Sequence, residues 1–339
     1  MQVAVVGCGH MSDVYIRNMN TRFENLEVVA CCAAHLENAV KKAAEYGIRG
    51  CTYEEILEDP NIDIVVILTP APTHYELARR ALEAGKHVYS EKVLTLETAL
   101  AEELLRLAEE KGLYLGAAPD TFLGAAWQKA RQIVDSGELG AITSFQICAN
   151  RKLDSLVEKY SFLRLPGGGI CYDYGVYYLT ALVNLLGPVS LVAAVVENWK
   201  PVRNGLQYDN EAQVTAILQT RSGITGSFTL NGESIRKDLA VFTLYGTEGV
   251  LKLTNPNHFG GELGIIRGDG TEQPVENALP YTDNSRGLGV ADMASAIREE
   301  RPHRANGKLA LHVLDVIHCI MESGEKQAFV NVKSTCDRP

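Results

Sequence analysis

Hydrophobic and polar positions alternate along the first third of the chain in the pattern of repeated strand–helix units. Short apolar runs, such as residues 3–6 and 64–68, are each followed by a stretch with apolar residues at helical spacing. The stretch after the second of these runs carries apolar residues at Leu77, Ala81, Leu82 and Ala84. This pattern predicts βαβ units, which place parallel strands in one buried sheet.

The pattern changes after Gly137. Short strand-like runs then follow one another, separated by turn residues, at 143–150, 189–199, 211–220, 224–230, 239–245 and 250–253. Helices are expected over 173–186, 287–299 and 306–323. Consecutive strands joined by turns predict a mostly antiparallel sheet. We therefore expect an α/β chain with a doubly wound parallel sheet over residues 1–121, and an α+β domain with a large, mostly antiparallel open sheet over 122–339.

Composition narrows the class of protein. The net charge of −10 argues against a nucleic-acid partner, which would favour a basic face. No apolar run approaches the roughly 20 residues of a membrane span, so no membrane partner is expected. A strand beginning within the first few residues leaves no room for a signal peptide, which predicts a cytoplasmic protein. The eight cysteines show no metal-ligand spacing, so we expect reduced thiols and no metal.

A glycine turn follows the first predicted strand. The sequence Gly7-Cys8-Gly9-His10-Met11-Ser12 leads directly into a predicted helix, with Ser12 in place of a third glycine. Glycine permits a tight turn and a close approach of the backbone to a pyrophosphate, which the helix N-terminus then stabilises. The turn therefore predicts a dinucleotide site of the Rossmann type that includes Gly7, Gly9, His10 and Met11.

The end of the second predicted strand bears on the choice of dinucleotide. Ala33 and His35 lie where an acidic residue would bind the adenosine ribose. Without that acid a 2′-phosphate is not repelled, yet no arginine is present to attract one. The cofactor is therefore NAD or NADP, with a slight preference for NAD.

Polar residues follow two further strands of the predicted parallel sheet. They are Thr69, Pro70, Pro72 and His74 after the run at 64–68, and Glu91 and Lys92 after the next one. The carboxyl ends of parallel strands face the ligand crevice, so we expect all six near the dinucleotide. A lysine in that position is well placed for chemistry.

A second candidate cluster lies near the predicted helix at 173–186. Three glycines, 167–169, precede Asp173 and Tyr177, which are four residues apart and share one helix face. One interpretation is a backbone that approaches a ligand, with both side chains in the site. The other is an acid that favours its helix dipole and a tyrosine packed in the core. The spacing favours neither.

The chain resembles the glucose–fructose oxidoreductase, inositol dehydrogenase and rhizopine-catabolism (Gfo/Idh/MocA) family. The resemblance rests on the glycine turn, residues 69–74, residues 84–92 and residues 167–177, and residues 119–124, 177–183 and 289–293 indicate a narrower subgroup. Two positions depart from the family motifs. Val93 replaces the proline of Glu-Lys-Pro and so removes a fixed φ beside Lys92, and Tyr177 replaces the histidine of Asp-x-x-x-His.

The resemblance implies an NAD(P)-dependent oxidoreductase. It would transfer a hydride between nicotinamide and a secondary hydroxyl or ketone of a sugar, glycoside or cyclitol. Tyr177 would take the hydroxyl proton, Lys92 would stabilise the developing alkoxide, and Asp173 would orient the substrate or Lys92. Alternatively, Lys92 carries the proton and Tyr177 only positions the substrate.

Further expectations follow for the substrate and for assembly. The segment 151–164 is expected as a loop over nicotinamide and substrate, with Lys152 and Tyr160 as substrate contacts, although mobile solvated charges are an equal alternative. A homodimer or homotetramer is expected. Two other functions stay open at this point: a redox-neutral glycoside-cleaving enzyme with tightly bound NAD, and a non-catalytic cofactor-binding regulator.

Overall fold

The computed structural model describes residues 1–235 and 240–339, which form two units. The first unit comprises residues 1–120 and 285–311 with residue 339, and the second comprises residues 121–284 and 312–338. Each unit has its own sheet.

The first unit contains a parallel six-stranded sheet among its described residues. Its order is β3-β2-β1-β4-β5-β6, and every neighbouring pair is parallel, which confirms the predicted doubly wound sheet. Val5 of the central strand pairs with Cys31 on one side and Val66 on the other. The strands are β1 (Gln2–Val6), β2 (Glu27–Cys32), β3 (Arg49–Gly50), β4 (Ile64–Ile67), β5 (His87–Ser90) and β6 (Leu115–Ala117).

Helices alternate with these strands along the chain. Val3, Val65 and Val88 are fully buried, as expected for strands whose two faces are both covered. Helix α3 begins with a capping box between Thr52 and Glu55. The helices are α1 (His10–Thr21), α2 (Leu36–Tyr46), α3 (Tyr53–Glu58), α4 (His74–Glu83) and α5 (Thr98–Glu110).

The second unit contains a nine-stranded sheet among its described residues, in the order β16-β15-β14-β13-β7-β12-β11-β8-β17. Only β7 and β12 pair in parallel within that described sheet, so the mostly antiparallel prediction is confirmed. The strands are β7 (Ile142–Asn150), β8 (Val189–Glu197), β9 (Val202–Arg203), β10 (Leu206–Gln207), β11 (Gln213–Thr220), β12 (Thr225–Asn231), β13 (Ala240–Gly246), β14 (Val250–Leu253), β15 (Gly264–Ile266), β16 (Glu272–Pro274) and β17 (Val330–Asn331).

Strands β9 and β10 pair with each other as a two-stranded antiparallel hairpin, separate from the nine-stranded sheet. The strand predicted at 239–245 was expected to begin at Leu239, which lies outside the described residues; β13 is described from Ala240.

The helices of the second unit correct one expectation. The segment 151–164 is not a loop, because helix α7 (Leu153–Lys159) and a 3₁₀ turn (Ser161–Arg164) occupy most of it. Leu153 and Val157, four residues apart, are both buried, and this spacing at the inner face stabilises the helix. The other helices that begin in this part of the chain are α6 (Ala125–Asp135) and α8 (Val176–Leu186), the latter preceded by a π-helical turn (Cys171–Gly175).

The chain then adds α9 (Leu288–Glu299), which belongs to the first unit, and α10 (Gly307–Lys326), whose residues are shared between the units. The N-terminus of α9 is satisfied by Asp120, whose carboxylate accepts hydrogen bonds from the Gly287 and Gly289 N–H groups at 3.0 Å each.

Within residues 1–235 and 240–339, no helix has the length and apolar character needed to cross a membrane.

Candidate functional site

The glycine turn packs tightly at its first residue. Gly7 has φ +105°, and a Cβ at this position would lie 2.9 Å from the Leu68 carbonyl carbon. Its N–H donates to the Cys32 carbonyl at 2.9 Å. Glycine is therefore required here, because both the backbone conformation and the neighbouring strand end exclude a side chain.

The second glycine of the turn has open space beside it. A Cβ on Gly9 would meet nothing within 4 Å, and Gly9 is the N-cap of α1 without a side-chain cap. Among the described residues, the N–H groups of Cys8 and Gly9 have no acceptor. Free N–H donors beside a helix N-terminus, with room in front of them, fit a pyrophosphate. The turn therefore fits a bound dinucleotide.

A cleft of about 480 Å³ opens at this turn in the first unit. Five predicted cofactor residues line it: Gly7, Gly9, Ala33, Thr69 and Pro70. The other lining residues were not predicted as cofactor contacts; they are Cys8, Ala34, Asn38, Lys41, Lys42, Glu45 and Leu68. Four of these could have been found from their helical spacing on α2, at positions 38, 41, 42 and 45.

The remaining predicted cofactor residues lie outside this lining. His10 and Met11 begin α1, and His35 is the N-cap of α2. Pro72 lies in a 3₁₀ turn (Ala71–Thr73). All four residues come after the carboxyl ends of strands of the parallel sheet: His10 and Met11 after β1, His35 after β2 and Pro72 after β4.

Two lysines line the cleft and bear on the choice between NAD and NADP. Lys42 is occupied, because its ammonium lies 2.5 Å from Asp13 and 3.0 Å from Glu45. Lys41 has no ion-pair partner among the described residues. A cation that lines the same cleft as Ala33 can attract a 2′-phosphate, which favours NADP more than the residues at the end of β2 do.

Ala33→Asp is expected to raise the Kd for NADP about 10-fold or more while changing the Kd for NAD much less. The added carboxylate would repel the 2′-phosphate and accept hydrogen bonds from a free ribose. Titration of both dinucleotides measures this, with Ala44→Asp as a control that adds the same charge to exposed α2 surface. Wild-type Kd values that already differ more than about 10³-fold, ~4 kcal/mol, would contradict the expected modest preference.

His74 joins two strand ends inside the first unit. Its ring is fully buried, with Nε2 2.7 Å from the Thr69 carbonyl and Nδ1 2.7 Å from the Val93 carbonyl. Burial lowers the pKa of His74, and the two carbonyls oppose this. Because a neutral ring has a single N–H, it donates to only one of these carbonyls at a time, and the side chain lies between the segment after β4 and the residue after Lys92.

The backbone of Lys92 is held on its other side by Glu91. One Glu91 oxygen accepts from the Lys92 N–H at 3.1 Å, and the other accepts from the buried Tyr15 hydroxyl at 2.9 Å. The Lys92–Val93 peptide bond is cis. Lys92 lies two residues beyond β5, and the hydrogen bonds of Glu91 anchor this segment although the proline of the family motif is missing.

In the second unit, Asp173 and Tyr177 lie on successive turns of one helical segment. Asp173 lies in the π-helical turn and Tyr177 in the first turn of α8, and both are largely buried. Arg151 Nη1 donates to Asp173 Oδ2 at 2.5 Å. The Asp173 carboxylate is therefore neutralised by a fixed cation, which suits an orienting group better than a proton acceptor.

The Arg151 guanidinium is itself held by an aromatic ring. It lies 4.5 Å from the centroid of Tyr174, a cation–π contact. The Tyr174 hydroxyl accepts from Asn255 Nδ2 at 3.0 Å and from the Tyr178 hydroxyl at 3.1 Å. Sequence reasoning gave Arg151, Tyr174 and Asn255 no role, because their contact depends on chain segments that are far apart in sequence.

Gly168 and Gly169, which precede this helix, are required by the close packing around them. A Cβ on Gly168 would overlap the Leu163 carbonyl, and a Cβ on Gly169 would overlap the Glu211 carboxylate. Glu211 Oε1 accepts from the Cys171 N–H at 2.8 Å. These two glycines therefore make room for Leu163 and for a buried acid at the helix start, rather than for direct approach of a ligand.

Burial raises the pKa of Glu211 to about 7. Its folded-state pKa thus exceeds the value of about 4.3 expected in the unfolded chain. Between those pH values the folded state holds a proton that the unfolded state has lost. The corresponding stability is present at low pH and is lost as the pH rises through about 7.

Glu211→Gln is expected to be more stable than the wild type at pH 8, by up to about 3 kcal/mol, and nearly equal to it near pH 5. The amide keeps an acceptor for the Cys171 N–H without a buried charge. Urea unfolding at several pH values measures the difference, with the exposed Glu102→Gln as control. A difference independent of pH would show that Glu211 does not titrate in this range.

The sheet order, the glycine turn and the donor-lined cleft define the first unit as a dinucleotide-binding fold. Residues 1–118 match the model described as the oxidoreductase family with an NAD-binding Rossmann fold. Residues 127–252 match the model of the GFO/IDH/MocA C-terminal domain. The chain belongs to the Gfo/Idh/MocA family of oxidoreductases, so the predicted family is confirmed.

Relatives cover most of the chain. An uncharacterized oxidoreductase of Rhizobium meliloti is 30% identical over 315 residues, covering 89% of this chain and 90% of the relative. The dTDP-3,4-didehydro-2,6-dideoxy-alpha-D-glucose 3-reductase of Streptomyces violaceoruber is 31% identical over 88% of this chain and 85% of its own. The trans-1,2-dihydrobenzene-1,2-diol dehydrogenase of Sus scrofa is 27% identical, covering 80% and 79%.

Solved structures share the fold. Levoglucosan dehydrogenase in complex with NADH and levoglucosan superimposes with a TM-score of 0.88, at 22% identity, over 98% of this chain and 100% of its own. At that identity the likeness concerns the fold.

Proposed function

We propose that the protein is an NAD(P)-dependent dehydrogenase or reductase that acts on a secondary hydroxyl or ketone of a sugar, glycoside or cyclitol. One observation carries the proposal: Lys92 lies two residues beyond the end of β5, at the same end of the parallel sheet as the open glycine turn. A cation at the carboxyl end of such a sheet is placed for chemistry beside a bound dinucleotide. Relatives named as a sugar-nucleotide 3-reductase and a diol dehydrogenase support the substrate class.

The chain's own residues supply the proton chemistry in this proposal. When bound, the nicotinamide accepts or donates the hydride. During oxidation the Tyr177 phenolate oxygen takes the hydroxyl proton, and the Lys92 ammonium stabilises the negative charge that develops on the substrate oxygen. Asp173, held by Arg151, accepts a hydrogen bond from a substrate hydroxyl and orients it. In the alternative assignment Lys92 carries the proton and Tyr177 positions the substrate.

Lys152 and Tyr160 remain proposed substrate contacts at the two ends of α7. The backbone of Lys152 forms a bridge with Glu233, which fixes its position. The Tyr160 ring lies 4.9 Å from the Lys159 ammonium and 6.0 Å from the Phe162 ring. An aromatic face beside cations suits the apolar face and the hydroxyls of a sugar ring.

The direct test incubates the protein with a panel of sugars, glycosides and cyclitols and with both dinucleotides, and follows the absorbance of the reduced nicotinamide. We expect stoichiometric reduction of NAD or NADP with at least one secondary alcohol. Consumption of a glycoside without net reduced cofactor would instead identify a redox-neutral enzyme with tightly bound NAD. Dinucleotide binding without any turnover would identify a regulator.

The proposal includes a homodimer or homotetramer that forms through the nine-stranded sheet. Val195 of β8 and Ile217 of β11 are 60% and 51% exposed, and Trp199 just beyond β8 is 67% exposed. Exposed apolar side chains on an open sheet face favour association with a second copy.

Light scattering is expected to give a multiple of the 37.0 kDa chain mass, and the double variant Val195→Glu/Ile217→Glu is expected to shift the protein toward the monomer. Val40→Glu provides the control, because Val40 is similarly exposed but lies on α2. A wild type that remains monomeric at micromolar concentration would rule this assembly out.

The proposed location is the cytoplasm. All eight cysteines, each within the described residues, are free thiols, as expected for a protein of a reducing compartment.

A further inference from the structure

Charged side chains line the cleft at the glycine turn, and they all belong to α2. Within the part of the chain that the structure describes, they are Lys41, Lys42 and Glu45. Residues three and four apart are neighbours on a helix surface, so these side chains form one group. Ala33 and Ala34, which follow β2 where the adenosine ribose is expected, line the same cleft. The charges of α2 therefore bear on the ribose 2′ position, where NAD and NADP differ.

Lys42 is bound by two carboxylates that differ in their relation to the cleft. Its ammonium lies 2.5 Å from Asp13 Oδ1 and 3.0 Å from Glu45 Oε2. Asp13 belongs to α1 and is not one of the lining residues, whereas Glu45 is. Asp13 Oδ1 also accepts a hydrogen bond from the Tyr46 hydroxyl at 2.9 Å, which holds it in place. Asp13 therefore anchors Lys42 on the α1 side, and Glu45 occupies its ammonium on the side of the cleft.

The Lys42–Glu45 pair joins a fixed cation to an exposed carboxylate. The Lys42 side chain is 13% exposed and the Glu45 side chain 46%. Burial lowers the pKa of Lys42, but its hydrogen bonds to Asp13 and Glu45 raise it by more, so the side chain remains an ammonium. An exposed ion pair contributes little to stability, so another anion can displace its carboxylate at small cost. Glu45 is therefore placed to compete with a ligand phosphate for Lys42.

We propose that Glu45 sets the preference between NAD and NADP, because it occupies Lys42 and so weakens the binding of a 2′-phosphate. The inference rests on the proposed function in one respect, that the cofactor is a nicotinamide dinucleotide. To reach Lys42, the 2′-phosphate of NADP must displace the Glu45 carboxylate or bear its repulsion. The uncharged 2′-hydroxyl of NAD meets neither penalty. Glu45 is thus a specificity-determining residue outside the end of β2, where the sequence pattern locates this choice.

The test titrates NAD and NADP against the full-length wild type, Glu45→Gln and a control. Glu45→Gln is expected to lower the Kd for NADP about 5-fold or more and to change the Kd for NAD less than about 2-fold. The control is Glu58→Gln, because Glu58 is an exposed acid of α3 in the same unit and lies outside the cleft lining. An unchanged Kd for NADP in Glu45→Gln, or an equal gain in Glu58→Gln, would overturn the proposal.

A double-mutant cycle identifies the group through which Glu45 acts. If Glu45 acts by occupying Lys42, Glu45→Gln should lose most of its effect on the Kd for NADP in a Lys42→Gln background. The two residues are in contact, so coupling of this kind is expected between them. An equal gain in both backgrounds would overturn the proposal, because the carboxylate would then repel the phosphate directly and Lys42 would have no part.

These measurements are equilibrium constants of dinucleotide binding and need no substrate, so they stand apart from the proposed reaction. A protein that shows the Glu45 effect but reduces no dinucleotide with any alcohol would keep this inference and lose the proposed reaction. A protein that oxidises a sugar but binds NADP equally well with glutamate or glutamine at position 45 would lose this inference alone.

Discussion

Lys92→Ala is expected to lower kcat by on the order of 10²-fold or more while leaving dinucleotide binding nearly intact. The lost ammonium would no longer stabilise the charge that develops on the substrate oxygen, and a group that acts in the transition state affects kcat more than ground-state binding. The Lys92 side chain is not among those lining the cleft at the glycine turn. The Glu91 carboxylate that accepts from the Lys92 N–H is unaffected by truncation of the side chain.

The measurement pairs steady-state kinetics with dinucleotide titration for the same preparation. Lys308→Ala is the matched control, because Lys308 is exposed on α10 and pairs with Glu109 at the surface. Lys92→Arg keeps the charge but changes its shape and reach, so partial activity is expected there. Turnover at the wild-type rate in Lys92→Ala would remove Lys92 from the mechanism.

Tyr177→Phe is expected to lose most activity at every pH, because phenylalanine keeps the ring but can neither accept nor donate the proton. In the oxidative direction the wild-type rate should increase with pH, since the deprotonated phenol is the base. Tyr177→His is expected to recover some turnover and to reach its plateau at lower pH. The reference pKa of histidine is about 6.5, against about 10 for tyrosine.

The pH–rate profiles of wild type, Tyr177→Phe and Tyr177→His measure this directly. Tyr172→Phe is the control, because Tyr172 lies on the preceding turn, where its ring packs against His318. If Tyr177→Phe retains more than about a tenth of the wild-type kcat, a cost under ~1.4 kcal/mol, the tyrosine only packs. The proton role would then pass to Lys92.

The fold followed closely from local pattern, and the exceptions have physical causes. Apolar runs of strand length predicted β1, β4 and β14 within one residue of their observed bounds. Helix α7 was missed because it has only seven residues, and only Leu153 and Val157 reveal its buried face. Packing of those two side chains, rather than intrinsic propensity, decides such a short helix.

Some residues of the candidate site could likewise be predicted from sequence, and others could not. The glycine turn and Lys92 could be found from sequence, because a strand end and the residues after it are neighbours in the chain. Lys41 could not be assigned to the cleft without knowing which face of α2 borders it. Arg151 gained a role only once its ion pair with Asp173 was visible.

The amino-acid sequence by itself determined the class of each sheet, the dinucleotide turn and the family, since these depend on periodicity and on residues within a few positions of one another. Tertiary structure alone decided what surrounds the reactive side chains. The Arg151–Asp173 ion pair joins residues 22 positions apart, and the Glu211 carboxylate reaches the Cys171 N–H across 40 positions. Such pairs form because separate segments pack in space, and no local pattern encodes which side chains will meet.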